Sequence, residues 1–462
     1  MKSKKRRILL VAMTAVLVLT LSAGLLLPEP DAQMKMNTYA AAANQWNTTI
    51  DDSNNGEVIP GQYIVERRNG DIELVKTNKG IEELKKDSDI VSIEQNRVVS
   101  AFDSRSETKQ AGASSVIDGD VAQLQYGDEM IRAPEAWEMT PEETATVRVA
   151  VIDTGVDATH PELADCVIEG TTIIDTNASG DRYADDAKDD HGHGTHVAGI
   201  IAAAWNNGIG IDGITGKTKI EILPIKVLND AGKGSTYDII EGIRYAADHG
   251  ASILNLSLGS SASSKLEAEV VRYAQNKGCL VIAAAGNDSM NVALNWPASY
   301  EDVISVGSVD AREERSYFSN YGETLDVAAP GSDIISSIPK SIAMQESAQG
   351  GTVYGNDRDG YYTSWSGTSM AAPHVAGAAA LYKAVNPGVT GADIGELITE
   401  TARDVGDIGK DIETGAGIVD AAAMLDGKVI KTPIKLKSPS EGAELYEEVT
   451  LSAQVNPTMD IR

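Results

Sequence analysis

The chain has 462 residues, 42% of them apolar, which is length for two or three domains and enough apolar side chain for a real core. Its 43 glycines and 5% aromatic residues favour a compact fold with many tight turns and exclude collagen, coiled coil and disordered tail as its class. A formal net charge of −29 sets nucleic-acid binding aside, and a total of two cysteines, Cys166 and Cys279, excludes a disulfide-stapled miniature fold.

Residues 1–7 carry five positive charges and no acid, and residues 8–27 are apolar or small with no charge. This is the pattern of a secretory signal, and the run is also just long enough to span a bilayer, so residues 1–32 read as a signal peptide or a retained membrane anchor. Residues 33–56 form a spacer. Residues 57–103 form a small α+β unit: GQYIVERR predicts a strand, GIEELKK a short helix, and DIVSIEQNRVVSAF a second strand region. The Ser-, Thr-, Gly- and Ala-rich stretch 104–120 reads as a linker open to proteolysis.

Residues 121–427 alternate apolar runs with helical patterns. TVRVAVID (146–153), KIEILPIKVL (219–228), ASILNLSLG (251–259), CLVIAAAGN (279–287) and DVISVGSVD (302–310) are continuously apolar, as strands buried on both faces are. HVAGIIAAAW (196–205) and STYDIIEGIRYAADHG (235–250) place isoleucines on one helical face, and Gly250 is a natural stop. The alternation predicts an α/β fold: a doubly wound, mostly parallel sheet with helices on both faces and functional loops at the carboxyl ends of the strands. The tail 428–462 reads as the start of an incomplete β-rich module or as a plain extension.

Four positions carry chemistry. Asp153 ends the strand VAVID. His193 stands between two glycines at the start of a helix. Ser369 in SGTSMAAPHVAG also opens a helix, where the helix N-terminus favours developing negative charge and Pro373 suits a first turn. Asn287 follows a strand and offers a side-chain amide to an oxyanion. A serine hydroxyl needs a base, the base needs a carboxylate to fix its tautomer, and the tetrahedral intermediate needs a donor. His191, His193 and His196 also form a zinc-like spacing. It is set aside because His196 borders an apolar face and no cysteine or glutamate completes a ligand set.

The order Asp…His…Ser, with spacings of 40 and 176 residues, is that of subtilisin. VIDTGVDATHPEL, HGTHVAGIIAA, GTSMAAPHVAG and AAAGN resemble the Asp, His, Ser and oxyanion segments of the subtilisin-like serine proteases, closest to the secreted bacterial, thermitase-like branch. The resemblance covers about 121–427. It assigns Asp153, His193, Ser369 and Asn287 the catalytic roles and leaves His191 and His196 as neighbours. It implies that 57–103 is an inhibitory propeptide covering the cleft, with maturation within 104–120. It further implies that protein or peptide substrates add as a strand to Gly232, Lys233 and Gly234 and to Ser257, Leu258 and Gly259. Ala284, Ala285 and Gly286, with Asn295 near the base, would line the pocket for the side chain before the cut bond.

For calcium, WNNGIGIDG resembles the family's binding loop, with Asn207, Ile209 and Ile211 as ligands and Glu162 where the family usually has Asp. The acidic run 181–190 is a second candidate for oxygen ligation or simply a solvated loop. An insertion at about 341–362 is expected to edge the cleft. The function expected is a secreted, self-processing serine endopeptidase that does not bind nucleic acid and meets a membrane only if its N-terminal segment is retained. The alternative is a surface-anchored protease dedicated to one precursor. A non-catalytic binding protein on the same scaffold is set aside because Asp153, His193, Ser369 and Asn287 are all intact.

Overall fold

The computed structural model describes residues 56–102, 104–105, 115–117, 121–184 and 186–427. The signal or anchor at 1–32, nearly all of the spacer, most of the linker and the tail 428–462 lie outside the described residues.

Seven parallel strands form the central sheet, in the order Val327–Pro330, Ile304–Val309, Leu280–Ala284, Ile253–Leu256, Val147–Asp153, Ile220–Lys226 and Thr171–Thr172. Alternate residues of the central strand Val147–Asp153 serve different cores. Val149 and Val151 join one apolar cluster with Val197, Ile201 and Val375 from the helices His193–Ala202 and Thr368–Val385. Ala150 and Ile152 join another with Ile239, Ile243 and Val270 from Thr236–Asp248 and Lys265–Asn276. Both faces of the sheet are therefore covered, which is why its strands read as unbroken apolar runs. Each large side chain so buried contributes about 1.5–3 kcal/mol.

The helices follow their signals. Ser235 caps Thr236–Asp248 by accepting from Asp238 N at 3.3 Å, and Asp238 reciprocates toward Ser235 N at 2.9 Å, a capping box. Pro373 is a correction. It is the sixth residue of Thr368–Val385 and so lies inside the helix rather than in its first turn. Having no N–H, it leaves the Ser369 carbonyl without an intrahelical partner, and the Ser257 hydroxyl donates to that oxygen instead at 2.9 Å.

The expected strand 251–259 divides at Ser257. Ile253–Leu256 stays in the central sheet, while Leu258–Gly259 leaves it to pair with the N-terminal segment. That segment holds Val58–Arg67, Ile72–Lys76, the short helix Ile81–Leu84 and Ile90–Ala101. Ile72–Lys76 is a strand the sequence did not announce. Ile90–Ala101 pairs antiparallel with Val58–Arg67 along most of its length, and its far end runs between Lys233–Ser235 and Leu258–Gly259.

The insertion folds into defined elements. Lys340–Ala348 is a helix, and Thr352–Asn356 and Gly360–Ser366 form a hairpin in a separate sheet with Ile334–Ile338 and Ser115–Ile117. Gly360–Ser366 leads through Gly367 directly into the helix that carries Ser369.

Candidate active site

Asp153 closes its strand and His193 opens its helix, and the two meet. His193 Nδ1 lies 2.7 Å from Asp153 Oδ1, and both side chains are fully buried. Thr154 N donates to the same oxygen at 2.7 Å. The turn before His193 is pinned by Asp189. Its carboxylate accepts from Thr154 Oγ1, His191 N, Gly192 N, Thr195 N and Thr195 Oγ1 at 2.6–3.0 Å. Asp190 beside it pairs with buried Lys226 Nζ at 2.8 Å. These two members of the acidic run are thus committed to protein donors.

Ser369 is the second residue of its helix and is fully buried. Its Oγ donates to the Ser257 carbonyl at 2.9 Å. Asn287 is fixed by Thr368, whose N–H and hydroxyl both donate to Asn287 Oδ1 at 2.9 Å. Thr368 Oγ1 in turn accepts from Gly286 N at 3.0 Å. This arrangement assigns the orientation of the Asn287 amide and turns its Nδ2 onto the Phe102 carbonyl at 2.8 Å. Thr368 and Asp189 are the functional neighbours that sequence reasoning missed. The only signal for Thr368 was its place between Gly367 and Ser369.

Gly232, Lys233, Gly234, Ser257, Leu258 and Gly259 come together on either side of residues 98–102. Val98, Val99 and Ser100 pair with Ser235, Gly234 and Lys233, and Ala101 N donates to Gly232 O at 3.0 Å. On the other side Ser100 and Ala101 pair with Gly259 and Leu258, and Phe102 N donates to Ser257 O at 3.4 Å. Asn295 Nδ2 donates to the Ala284 and Ala285 carbonyls at 3.3 and 3.0 Å, so it props the turn that includes Gly286. The pocket at this point is lined by Gly259, Leu294, Asn295, Trp296 and Asn320 together with Phe102.

The other histidines do not form a metal site. His196 stacks on Trp365 with ring centroids 4.8 Å apart, and burial pushes its imidazole down to about 3, which keeps it neutral. His191 lies edge-on to His193 at 6.2 Å. Among the described residues no group of three or more His, Cys, Asp or Glu is placed to hold a metal ion.

Glu162, Asn207, Ile209 and Ile211 do gather, but as a hydrogen-bonded cluster. Glu162 accepts from Ile211 N at 3.0 Å, from Tyr362 OH at 2.9 Å and from Asn207 Nδ2 at 2.8 Å. Asn207 Oδ1 is taken by Ile209 N at 3.0 Å. Burial pushes the Glu162 carboxyl up to about 6, against the downward pull of these donors. Tyr362, one of those donors, comes from the insertion. Both cysteines are free thiols, and Cys279 is buried in the core as expected.

Residues 144–417 match the model of the subtilase family. The chain belongs to that family. As a subtilase it is a serine endopeptidase with the subtilisin-like fold. Over 285 residues it is 40% identical to thermitase from Thermoactinomyces vulgaris, covering 62% of this chain and 90% of thermitase. It is 44% identical over 257 residues to the cell wall-associated protease of Bacillus subtilis, a match over 56% of this chain and 26% of that longer protein. A solved protease structure from Pseudoalteromonas arctica matches this subtilase with a TM-score of 0.56 at 31% identity, over 68% of this chain and 99% of the other.

Proposed function

We propose that this subtilase is a secreted endopeptidase made as a self-covered precursor, with Ser369 as nucleophile, His193 as general base and then acid, Asp153 as the group that orients the imidazole, and Asn287 as oxyanion donor. One observation carries the reading: an amide fixed by Thr368 already holds a peptide carbonyl at 2.8 Å, beside the first turn of the helix that bears Ser369. To attack, the Ser369 hydroxyl exchanges the Ser257 carbonyl for the imidazole as its acceptor. Its oxygen then adds to the carbonyl carbon, the proton passes to His193, and negative charge grows on an oxygen that Asn287 already faces. The proton moves on to the departing amine, and water repeats the sequence on the acyl-enzyme.

Residues 57–103 act as the inhibitory propeptide. They occupy both edges where an extended substrate would add as a strand, and Asp153, His193 and Ser369 are left with no exposed surface. Export is supported by the charged and apolar N-terminal pattern, and one relative bears the name cell wall-associated protease. The test is digestion of casein by the purified full chain and by its Ser369→Ala variant. We expect wild type to shorten and then clear casein while the variant does neither. Shortening without casein digestion would favour a protease dedicated to one precursor, and casein digestion by the variant would remove Ser369 as nucleophile.

A further inference from the structure

One carbonyl of the chain's own residues 98–102 meets the amide that would stabilise its cleavage. Phe102 O accepts from Asn287 Nδ2 at 2.8 Å. A Cβ on Gly367 would stand 2.4 Å from that oxygen, so the bare glycine just before the helix of Ser369 is what admits the carbonyl. Upstream, the backbone is held on both sides by the pairings of Val98–Ala101. Downstream, Ser104 and Arg105 pair antiparallel with Ser366 and Trp365, the last residues of the strand that feeds that helix. The chain is therefore gripped before and after a single point.

The side chains agree with the backbone. The Phe102 ring lies against the backbone of Gly259, where a Cβ would come within 2.7 Å of Phe102 Cζ. Phe102 also lines a cavity together with Leu294, Asn295 and Trp296. Three residues earlier, Val99 is buried in the apolar cluster that holds Leu228 and Leu258.

We infer that the peptide bond following Phe102 is the one this chain cuts in itself. The inference rests on the serine-peptidase reading above. It places the cut immediately ahead of the linker 104–120 rather than within it. Ser369 Oγ bonds to the Phe102 carbonyl carbon and gives its proton to His193. The bond to the next nitrogen breaks, and His193 passes that proton to the new amino group of Asp103. Water then adds to the ester and frees the Phe102 carboxylate and the Ser369 hydroxyl.

The experiment follows the purified full chain by intact mass and by sequencing of fragment ends at the earliest times that fragments appear, before trimming. Four chains are compared: wild type, Ser369→Ala, Phe102→Asp and Phe102→Leu. The inference expects an N-terminal fragment that ends at Phe102 and a partner that begins at Asp103, with Ser369→Ala remaining whole. A carboxylate placed against Gly259, beside a lining that already holds Asp288, should slow the cut in Phe102→Asp by roughly 10²-fold, while Phe102→Leu stays within about tenfold of wild type. First fragments that end elsewhere, with Ser369→Ala still whole, would overturn the bond and leave the peptidase reading standing. Equal cutting of Phe102→Asp would do the same. Fragments from Ser369→Ala at the wild-type rate, or no fragments and no activity from wild type, would overturn the peptidase reading and the inference with it.

Discussion

Asn287 acts as an oxyanion donor only if its amide cannot turn, and Thr368 is the residue that prevents turning. Two donors from Thr368 fall on Asn287 Oδ1, which leaves Nδ2 alone to face the carbonyl. Asn287→Ala should lower kcat by roughly 10²–10³. Thr368→Val keeps the backbone donor and the shape but loses the hydroxyl. It should cost about tenfold in kcat with KM nearly unchanged, because the lost order matters only once negative charge forms. Steady-state kinetics on a peptide anilide read both, and a Thr368→Val enzyme with full kcat would remove Thr368 as a positioning residue. The sequence singles out Asp153, His193, Ser369 and Asn287 because each sits in a motif whose neighbours shape its turn. Thr368 and Asp189 were not singled out, because their roles are hydrogen bonds to partners that no local pattern reveals. Thr368 and Asn287, for instance, are 81 residues apart. The bond from Tyr362 to Glu162, 200 residues away, was hidden for the same reason.

Elements meet most consequentially where the covering strand Ile90–Ala101 docks on the helix Lys265–Asn276. Glu94 accepts from Ser264 Oγ at 2.6 Å and from Leu266 N at 3.1 Å, at the start of that helix. Burial raises its carboxyl above the usual range. Glu267 is buried beside it and accepts from Tyr300 OH at 2.7 Å. Burial first, and then the Glu94 charge, push the Glu267 carboxyl up from 4.5 to about 7. A carboxyl raised in the folded state binds its proton more tightly there than in the unfolded chain. Its contribution is therefore fully present below 4.5 and is lost as pH rises through about 7. Each tenfold difference in proton affinity between the two states is worth about 1.4 kcal/mol. The Ser369→Ala chain, which stays covered, should therefore melt lower at about pH 8 than at about pH 5. Adding Glu267→Gln should flatten that slope, and equal slopes in the two chains would contradict the assignment. Predicted strands 146–153 and 279–287 appeared within a few residues of their observed bounds because buried parallel strands are continuously apolar. The break at Ser257 and the hairpin Thr352–Ser366 were not legible. The first depends on a contact with Ser369, and the second lies in a stretch whose polar residues read as loop.

The whole molecule joins strands far apart in sequence, and Val147–Asp153 lies between Ile253–Leu256 and Ile220–Lys226. Such a sheet closes long loops before its contacts form, so it folds slowly. Residues 57–102 add an antiparallel sheet that bridges Lys233–Ser235 and Leu258–Gly259 and holds two distant parts of the chain in register. Refolding of 121–427 with Ser369→Ala should therefore quicken by roughly tenfold or more when 57–102 is supplied in trans, as read by fluorescence recovery. An unchanged rate would limit that segment to covering the cleft. The architecture was legible at this scale because alternating strands and helices leave few arrangements. What was not legible was which carbonyl of residues 98–102 meets Asn287, since nothing in VVSAF marks one peptide bond above the next. The most direct measurement is labelling of the matured enzyme with a serine-reactive phosphonate, followed by mass spectrometry. We expect one adduct, on Ser369, with casein digestion lost in step with labelling and with no adduct on Ser369→Ala. An adduct on another residue, or casein digestion that survives full labelling of Ser369, would contradict Ser369 as the nucleophile.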